Sequence, residues 1–365
     1  MDPTLSLISH PPQEWKLEPY KAKEKRIKYR EPHTSLYVNE DNYEKLVALK
    51  KETLALPEYD KRRDRANPFA WLGRSLFINR AAVKLANLDF IFNLSEHVPG
   101  QGNYQTKISN GSNFSFCDLA GGPGGFSQYL LWRRPFSAGF GITLKTQDHR
   151  DWDKNILANN RFNMTYGKDL TGDLYTNDEW FTNWLLDQKP QGVDLVVADG
   201  GFDVETEPDF RRREILTSRL VLVQLYVGIQ VCGIGKHLIC KVFDTNTDLS
   251  ASYLYLVSLC FEKIYLVKPV SSRPASNEKY LVCLSRKEDV NEPLGFLATL
   301  RDMYENTDLP EFAVDLPSSF RKWLESHNNL FTNNVIQAAE AILKEQRSTS
   351  DYNYFDCFTL WQLPG

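Results

Sequence analysis

Between Phe116 and Phe126 the chain reads Phe-Cys-Asp-Leu-Ala-Gly-Gly-Pro-Gly-Gly-Phe, with four glycines in the five positions 121–125. Asn113-Phe-Ser-Phe-Cys117 before it has the apolar run of a buried strand. Phe126-Ser-Gln-Tyr-Leu-Leu-Trp-Arg-Arg134 after it has helical apolar spacing. Strand, glycine-rich turn and helix form the first crossover of a doubly wound α/β sheet, where the backbone turns sharply and approaches a nucleotide-like ligand. The spacing is neither Gly-x-Gly-x-x-Gly nor Gly-x-x-x-x-Gly-Lys-Ser/Thr, and the missing lysine excludes a P-loop.

A chain of 365 residues, 42% hydrophobic, can bury one large core with elaborations or fold as two domains. No run of eighteen apolar residues and no basic-then-apolar start occurs, so neither a membrane span nor a secretory signal is expected. The six cysteines lie far apart, mostly in apolar runs, as reduced core residues do. Without Cys-x-x-Cys, and with six scattered histidines, no metal site is expected, and His237 reads as structural. Charge is uneven. Residues 1–84 carry 17 Lys and Arg against 12 Asp and Glu, although the whole chain stands at −4. The positives gather in 21–30, at Lys50-Lys51 and in Lys61-Arg-Arg-Asp-Arg65. Such a segment suits a polyanion such as RNA, a solvated basic face or a nuclear import signal.

Residues 1–35, with five prolines, read as an extended arm. Helical spacing is read over 41–54 and 74–94, and a Gly/Asn/Ser-rich loop over 100–113. Strands are expected at 114–118, 138–144, 162–166, 193–198, 236–241, 262–267 and 279–284, with helices between most of them, notably 209–232 and 249–261. From Leu309 onward there is no strand pattern, and a short helix is expected over 335–344. The organisation expected is a basic extension (1–73: arm plus helix), a catalytic domain (74–308) and a helical C-terminal appendage (309–365).

Four charged residues fall where such a sheet gathers its ligands. Lys84 lies on a helix, Asp199 and Lys241 end apolar strands, and Glu278 opens the last strand. An unpaired charge after an apolar run is costly, so these groups are expected to have partners. A lysine held near a second lysine and partly desolvated is expected to have a lowered pKa and to act as a base.

Asp118-x-x-x-Gly122-Pro-Gly-Gly-Phe126 resembles motif I of S-adenosylmethionine-dependent methyltransferases of the RrmJ/FtsJ type, and Lys84-Asp199-Lys241-Glu278 resembles the Lys-Asp-Lys-Glu tetrad of the RNA ribose 2′-O-methyltransferases in that superfamily. Phe77-Ile-Asn-Arg-Ala-Ala-Val-Lys84, Ala198-Asp-Gly-Gly-Phe202 and Ser272-Arg-Pro-Ala275 are similar to stretches of the eukaryotic cap-specific mRNA 2′-O-ribose methyltransferases, as is the closing Leu360-Trp-Gln-Leu-Pro364. The resemblance implies a Rossmann-like α/β fold with a seven-stranded, mostly parallel sheet, its last strand antiparallel, and helices on both faces. It implies S-adenosylmethionine held by Asn79, Ala120, Gly121, Gly122, Pro123, Gly124, Gly125 and Phe126, with Asp169 and Leu170 at the adenine and Asp199 alongside. Many methyltransferases end the second strand with an acid for the ribose hydroxyls. Here Lys145 stands there, so those contacts must come from Asp118 or from backbone groups. For the substrate the resemblance implies capped mRNA, held by Lys50, Lys51, Arg63, Arg65, Phe202 and Ser276. Tyr37, Phe69, Trp71 and Phe202 are the aromatic candidates for the cap base. Nuclear residence and contact with transcription or capping machinery follow from the same resemblance. Open beside this are a ribosomal, transfer RNA or second-nucleotide 2′-O-methyltransferase, a catalytically inactive RNA-binding relative and, poorly fitting, a nucleotide-dependent oxidoreductase.

Overall fold

The computed structural model describes residues 24–25, 37–67, 69–70, 77–95, 114–201, 210–304, 313–345 and 354–363. One sheet of seven strands organises them. In chain order these are β2 (Ser115–Leu119), β3 (Ala138–Ile142), β4 (Phe162–Thr165), β5 (Val193–Ala198), β6 (Cys232–Val242), β7 (Phe261–Val267) and β8 (Lys279–Arg286), after a two-residue β1 (Glu24–Lys25). Across the sheet the order is β4-β3-β2-β5-β6-β8-β7. The neighbours pair in parallel except β8, which runs antiparallel to both β6 and β7.

The strands are apolar on both sides because both sides are covered. Along β5, Leu195 and Val197 face one core with α3 (Ala81–Phe92) and α4 (Gly125–Arg133), while Val196 and Ala198 face the other with α7 (Phe210–Val231) and α8 (Asp248–Cys260). The stretch Arg213–Val231 of α7 is long and apolar enough to cross a membrane by length and composition, but it is largely buried inside the protein, where α7 contacts α6 (Leu174–Gln188) and α9 (Asn291–Met303).

The strand order reverses between β2 and β5: β3 and β4 continue to one side of β2, and β5 and β6 to the other. At such a switch point the carboxyl ends of the strands part and leave a crevice for a ligand. Because β8 runs the opposite way, its beginning lies at that same edge. Register then brings side chains together. Ala198 lies opposite Cys240, so Asp199 and Lys241 follow on the next rung, and Lys241 lies opposite Tyr280.

Several elements differ from their sequence reading. The second helix starts at Ala81, not 74, because the Asn79 carboxamide accepts the Ala81 amide (3.0 Å) and fixes the first turn there; residues 71–76 lie outside the described ones. The charged stretch after Pro57 contains α2 (Tyr59–Arg65), behind α1 (Glu40–Leu54). Strand β6 begins at Cys232, directly after α7, four residues before the expected 236. The short helix expected over 335–344 is the end of α10 (Ser318–Leu343), 26 residues long. Its buried face includes His327 and Asn328, which interrupt the apolar spacing. A two-residue β9 (Ala313–Val314) pairs with β1 where no strand was expected, since so short a pairing leaves no periodic signal. Of the 1–35 arm only Glu24–Lys25 is among the described residues.

Both ends of the chain pack onto this frame. Leu46 of α1 buries against Val335 and Ile336 of α10, Lys45 pairs with Glu340 (2.8 Å), and the Asn39 amide donates to Asn329. Cys357, Phe358, Trp361 and Leu363, on and after α11 (Tyr354–Leu360), join the core beneath α3 and α4. There Arg133 donates to the Trp361 carbonyl (2.6 Å) and to Tyr129, which in turn donates to Asp89.

Candidate active site

The glycine-rich turn is dictated by what surrounds it. Gly124 has φ 106°, a left-handed conformation that starts α4, and a Cβ there would meet Ile156. At Gly122 a Cβ would lie 2.1 Å from the Arg150 carbonyl oxygen, and at Gly125 it would lie 2.1 Å from Asn79 Oδ1. Close packing of the chain on itself therefore requires these glycines. Gly122→Ala is expected to force the turn off Arg150 and Thr143 and to lower stability by about 1–3 kcal/mol, read as a shift of the urea midpoint at unchanged slope.

Asp118 lies under this turn, fully buried. Its Oδ2 accepts from Ser127 Oγ (2.6 Å), while Oδ1 has no hydrogen-bond partner among the described residues. Burial pushes its carboxyl up to about 7. A carboxylate in this position supports the turn from below and has no surface to offer ribose hydroxyls, which corrects that reading of Asp118.

Beside the turn, the loops after β3 and β4 meet. The Lys145 amide donates to the Thr171 carbonyl (2.7 Å), and Gly172 packs on the Thr143 carbonyl. Leu144 and Leu170 are exposed there, 54% and 66%, an apolar edge suited to a flat base. Leu144 was missed from the sequence, although it ends an apolar strand beside the switch point. The Asp169 carboxylate accepts from the Thr171 amide and hydroxyl, Thr176 and Asn177, and these bonds hold it well below the usual carboxylate range.

Across the crevice the four charged residues come together as two pairs. Lys84 Nζ lies 2.7 Å from Glu278 Oε1, and Lys241 Nζ lies 3.2 Å from Asp199 Oδ1 and donates to the Asp199 carbonyl (2.6 Å). All four side chains keep between 11% and 18% of their surface, enough to face a ligand without standing in bulk water. Burial works against the charge on Glu278, but the ammonium groups of Lys84 and Lys241 outweigh it and hold its carboxyl well below the usual range. For Lys241, too, burial opposes the charge, and Asp199 and Glu278 overcome it, so its pKa is raised. This corrects the expectation of a lowered pKa: the sequence reading put both carboxylates beside the lysines but gave more weight to the second lysine than to them.

A ring of supporting groups completes the site. Tyr280 donates to Asp199 Oδ1 (2.7 Å), Ser272 donates to Glu278 Oε1 (2.9 Å), and Gln224 of α7 accepts the Gly200 amide (3.0 Å). Lys268, buried, donates to the Ser276 and Glu278 carbonyls; burial lowers its pKa to about 7. Tyr280 and Lys268 stand inside stretches whose neighbours are conspicuous in the sequence, and their roles needed the register of β8.

On the substrate side, Lys50 reaches the Asn277 carboxamide, which binds the Asp244 carboxylate, so α1 touches the residue next to Glu278. Ser276 turns its hydroxyl to the Arg273 carbonyl. Arg63 pairs with Asp60 and lies over the Tyr59 ring, and Lys51 and Arg65 are exposed. Two of the aromatic candidates for the cap are core residues: Tyr37 is buried and donates to Asp248, and Phe69 is buried on Trp361. Trp71 and Phe202 lie outside the described residues. No group of three His, Cys, Asp or Glu suited to a metal occurs among the described residues.

A mostly parallel sheet with one reversed strand, a glycine turn at its switch point and two Lys–carboxylate pairs beside it define a methyltransferase. Residues 77–286 match the FtsJ-like methyltransferases, and the chain belongs to that family. It is 34% identical over 334 residues to the cap-specific mRNA (nucleoside-2′-O-)-methyltransferase 1 of Mus musculus, covering 84% of this chain and 39% of that protein. The proteins of that name in Xenopus laevis and Drosophila melanogaster are 39% and 32% identical, over 66% and 84% of this chain and 29% and 42% of theirs. The chain thus spans about two fifths or less of the length of these relatives.

Proposed function

We propose that this chain transfers a methyl group from S-adenosylmethionine to the ribose 2′-oxygen of the first transcribed nucleotide of 7-methylguanosine-capped mRNA. The observation that carries this reading is the pairing of Lys84 with Glu278 and of Lys241 with Asp199 at the reversal point of the sheet. The names of the relatives supply the cap. S-adenosylmethionine supplies an electrophilic methyl group on a positively charged sulfur. Ala120 to Phe126, Asn79, Leu144, Asp169, Leu170 and Asp199 would hold it, and the apolar edge formed by Leu144 and Leu170 fits that role.

Lys241 takes the proton from the ribose hydroxyl. Its raised pKa keeps it charged in the protein alone. It gives up that proton more readily once a second positive charge stands close by. Asp199 orients the Lys241 amine, Tyr280 fixes Asp199, and Glu278 holds Lys84 on the far side. Alignment of hydroxyl and methyl supplies a large part of the acceleration. Lys50, Lys51, Arg63 and Arg65 bind the triphosphate bridge as part of a basic extension over 1–73, residues 309–365 brace the catalytic domain, and the protein acts in the nucleus beside the capping machinery.

Methylation of otherwise identical RNAs ending in a cap, a triphosphate or a hydroxyl, with the modified position mapped, tests the reading. Capped RNA modified at its first ribose is the expected result. Equal rates on all three, or internal modification, would assign the chain to ribosomal or transfer RNA substrates, and modification at the second ribose to the next cap position.

A further inference from the structure

Two arginines, Arg80 and Arg273, stand on the elements that carry Lys84 and Glu278. Arg80 precedes α3, and its carbonyl accepts the Lys84 amide, so the two side chains are one helical turn apart. Arg273 sits in the turn between β7 and β8 that delivers Glu278. The Ser272 amide donates to the Pro269 carbonyl, the Ser276 amide and hydroxyl donate to the Arg273 carbonyl, and Ser272 Oγ holds Glu278. Buried Lys268 staples this turn from beneath through the Ser276 and Glu278 carbonyls. Arg273 is therefore presented by a braced turn, not by a loose loop.

Among the described residues no ion pair to Arg80 or Arg273 occurs, and Arg273 Nε is buried without a hydrogen-bond partner. Of the two carboxylates that act on Arg80, Asp64 and Glu278, the second is already engaged by Lys84 and Ser272. Burial and the like charges of Arg273 and Arg63 push the Arg80 guanidinium down from its ordinary value, with Asp64 and Glu278 opposing in part. Positive groups gathered this way, half out of water, are costly unless an anion joins them. The planar fork of arginine matches phosphate oxygens two at a time.

We propose that Arg80 and Arg273 form a clamp for the phosphodiester that flanks the reactive ribose, fixing the RNA backbone beside Lys84 and Glu278. The clamp rests on the reading of the chain as an RNA ribose methyltransferase. It differs from the basic residues of α1 and α2 in gripping a linkage next to the reacting sugar. It is a binding element, so its removal weakens RNA capture more than chemistry.

The test uses the full chain and capped RNAs carrying one uncharged methylphosphonate, placed either 3′ or 5′ to the target ribose. With unmodified RNA, Arg273→Gln and Arg80→Gln are each expected to raise KM by about tenfold, as for a missing charge-assisted hydrogen bond, and to change kcat less than threefold. The salt dependence of RNA affinity should become shallower by about 0.7 for each phosphate no longer neutralised, while melting temperature and S-adenosylmethionine affinity stay at wild-type values. Arg273→Lys should recover part of the binding, since a point charge replaces a fork. On the RNA neutralised at the clamped linkage, wild type should weaken by the same factor and the Gln variants should weaken no further. Equal additional weakening in wild type and variants at both linkages, or an unchanged KM and salt slope, would overturn the clamp. If wild type modifies no ribose at all, the functional reading fails instead.

Discussion

Lys241→Ala should reduce methyl transfer by at least about 10³-fold under single-turnover conditions, within the range of a lost general base. The side chain is held by the Asp199 carbonyl and carboxylate and lies opposite Tyr280, while the other amine of the site, Lys84, is engaged by Glu278. The removed group is nearly buried but small, and the substitution leaves Asp199 with its bond from Tyr280, so the fold should survive. S-adenosylmethionine affinity and the melting curve check that the protein is intact. The wild-type rate should rise with pH through neutrality and beyond, because the carboxylates keep Lys241 protonated. A variant that turns over within tenfold of wild type would remove Lys241 as the base.

Glu278→Ala is expected to damage both activity and stability. It leaves Lys84 without its carboxylate and removes the acceptor of Ser272, in a site where burial already works against the charge on Lys241. Breaking such a pair costs about 3–5 kcal/mol, enough to move the melting point by several degrees. The sign with pH follows from its depressed carboxyl. The folded protein keeps Glu278 ionised at a pH where the unfolded chain, near 4.3, takes up a proton, so the stabilisation is full above that value and drains away as pH falls below it. Wild type should therefore lose more stability than Glu278→Ala between pH 5 and pH 3 in urea titrations. Parallel curves for the two proteins would mean that the pair contributes nothing net.

The central sheet was legible because each strand is buried on both faces and so leaves an apolar run bounded by turns. The identity of the charged residues was legible for the same reason, as Asp199 and Lys241 stand directly after such runs. Their pairing was not. It depends on which strand lies beside which, and the reversed β8 puts Tyr280 opposite Lys241 across a gap of nearly forty residues. The direction of the Lys241 shift failed with it, since two carboxylates and one lysine compete over distances that spacing does not give. Helix α10 was hidden because His327 accepts a place in the core through the Leu266 carbonyl, and Asn328 through Tyr37 and Thr245, so polar letters stand at buried positions. Tyr37 and Phe69 show the converse, aromatic residues whose use in packing cannot be told from use in recognition until their neighbours are known.

The seat of α1 on α10 has a consequence for how the molecule comes into being on the ribosome. Asn39 and Asn329 are joined across 290 positions, and the Leu46 contact with Val335 and Ile336 spans a similar stretch. The helix bearing Lys50 is synthesised well before α10, the helix that supports it. A nascent chain released up to Met303 already holds every strand of the central sheet, but the partners of α1 on α10 are still missing. Vectorial synthesis thus completes the sheet and its two Lys–carboxylate pairs before the seat of α1, and the two mature on different clocks.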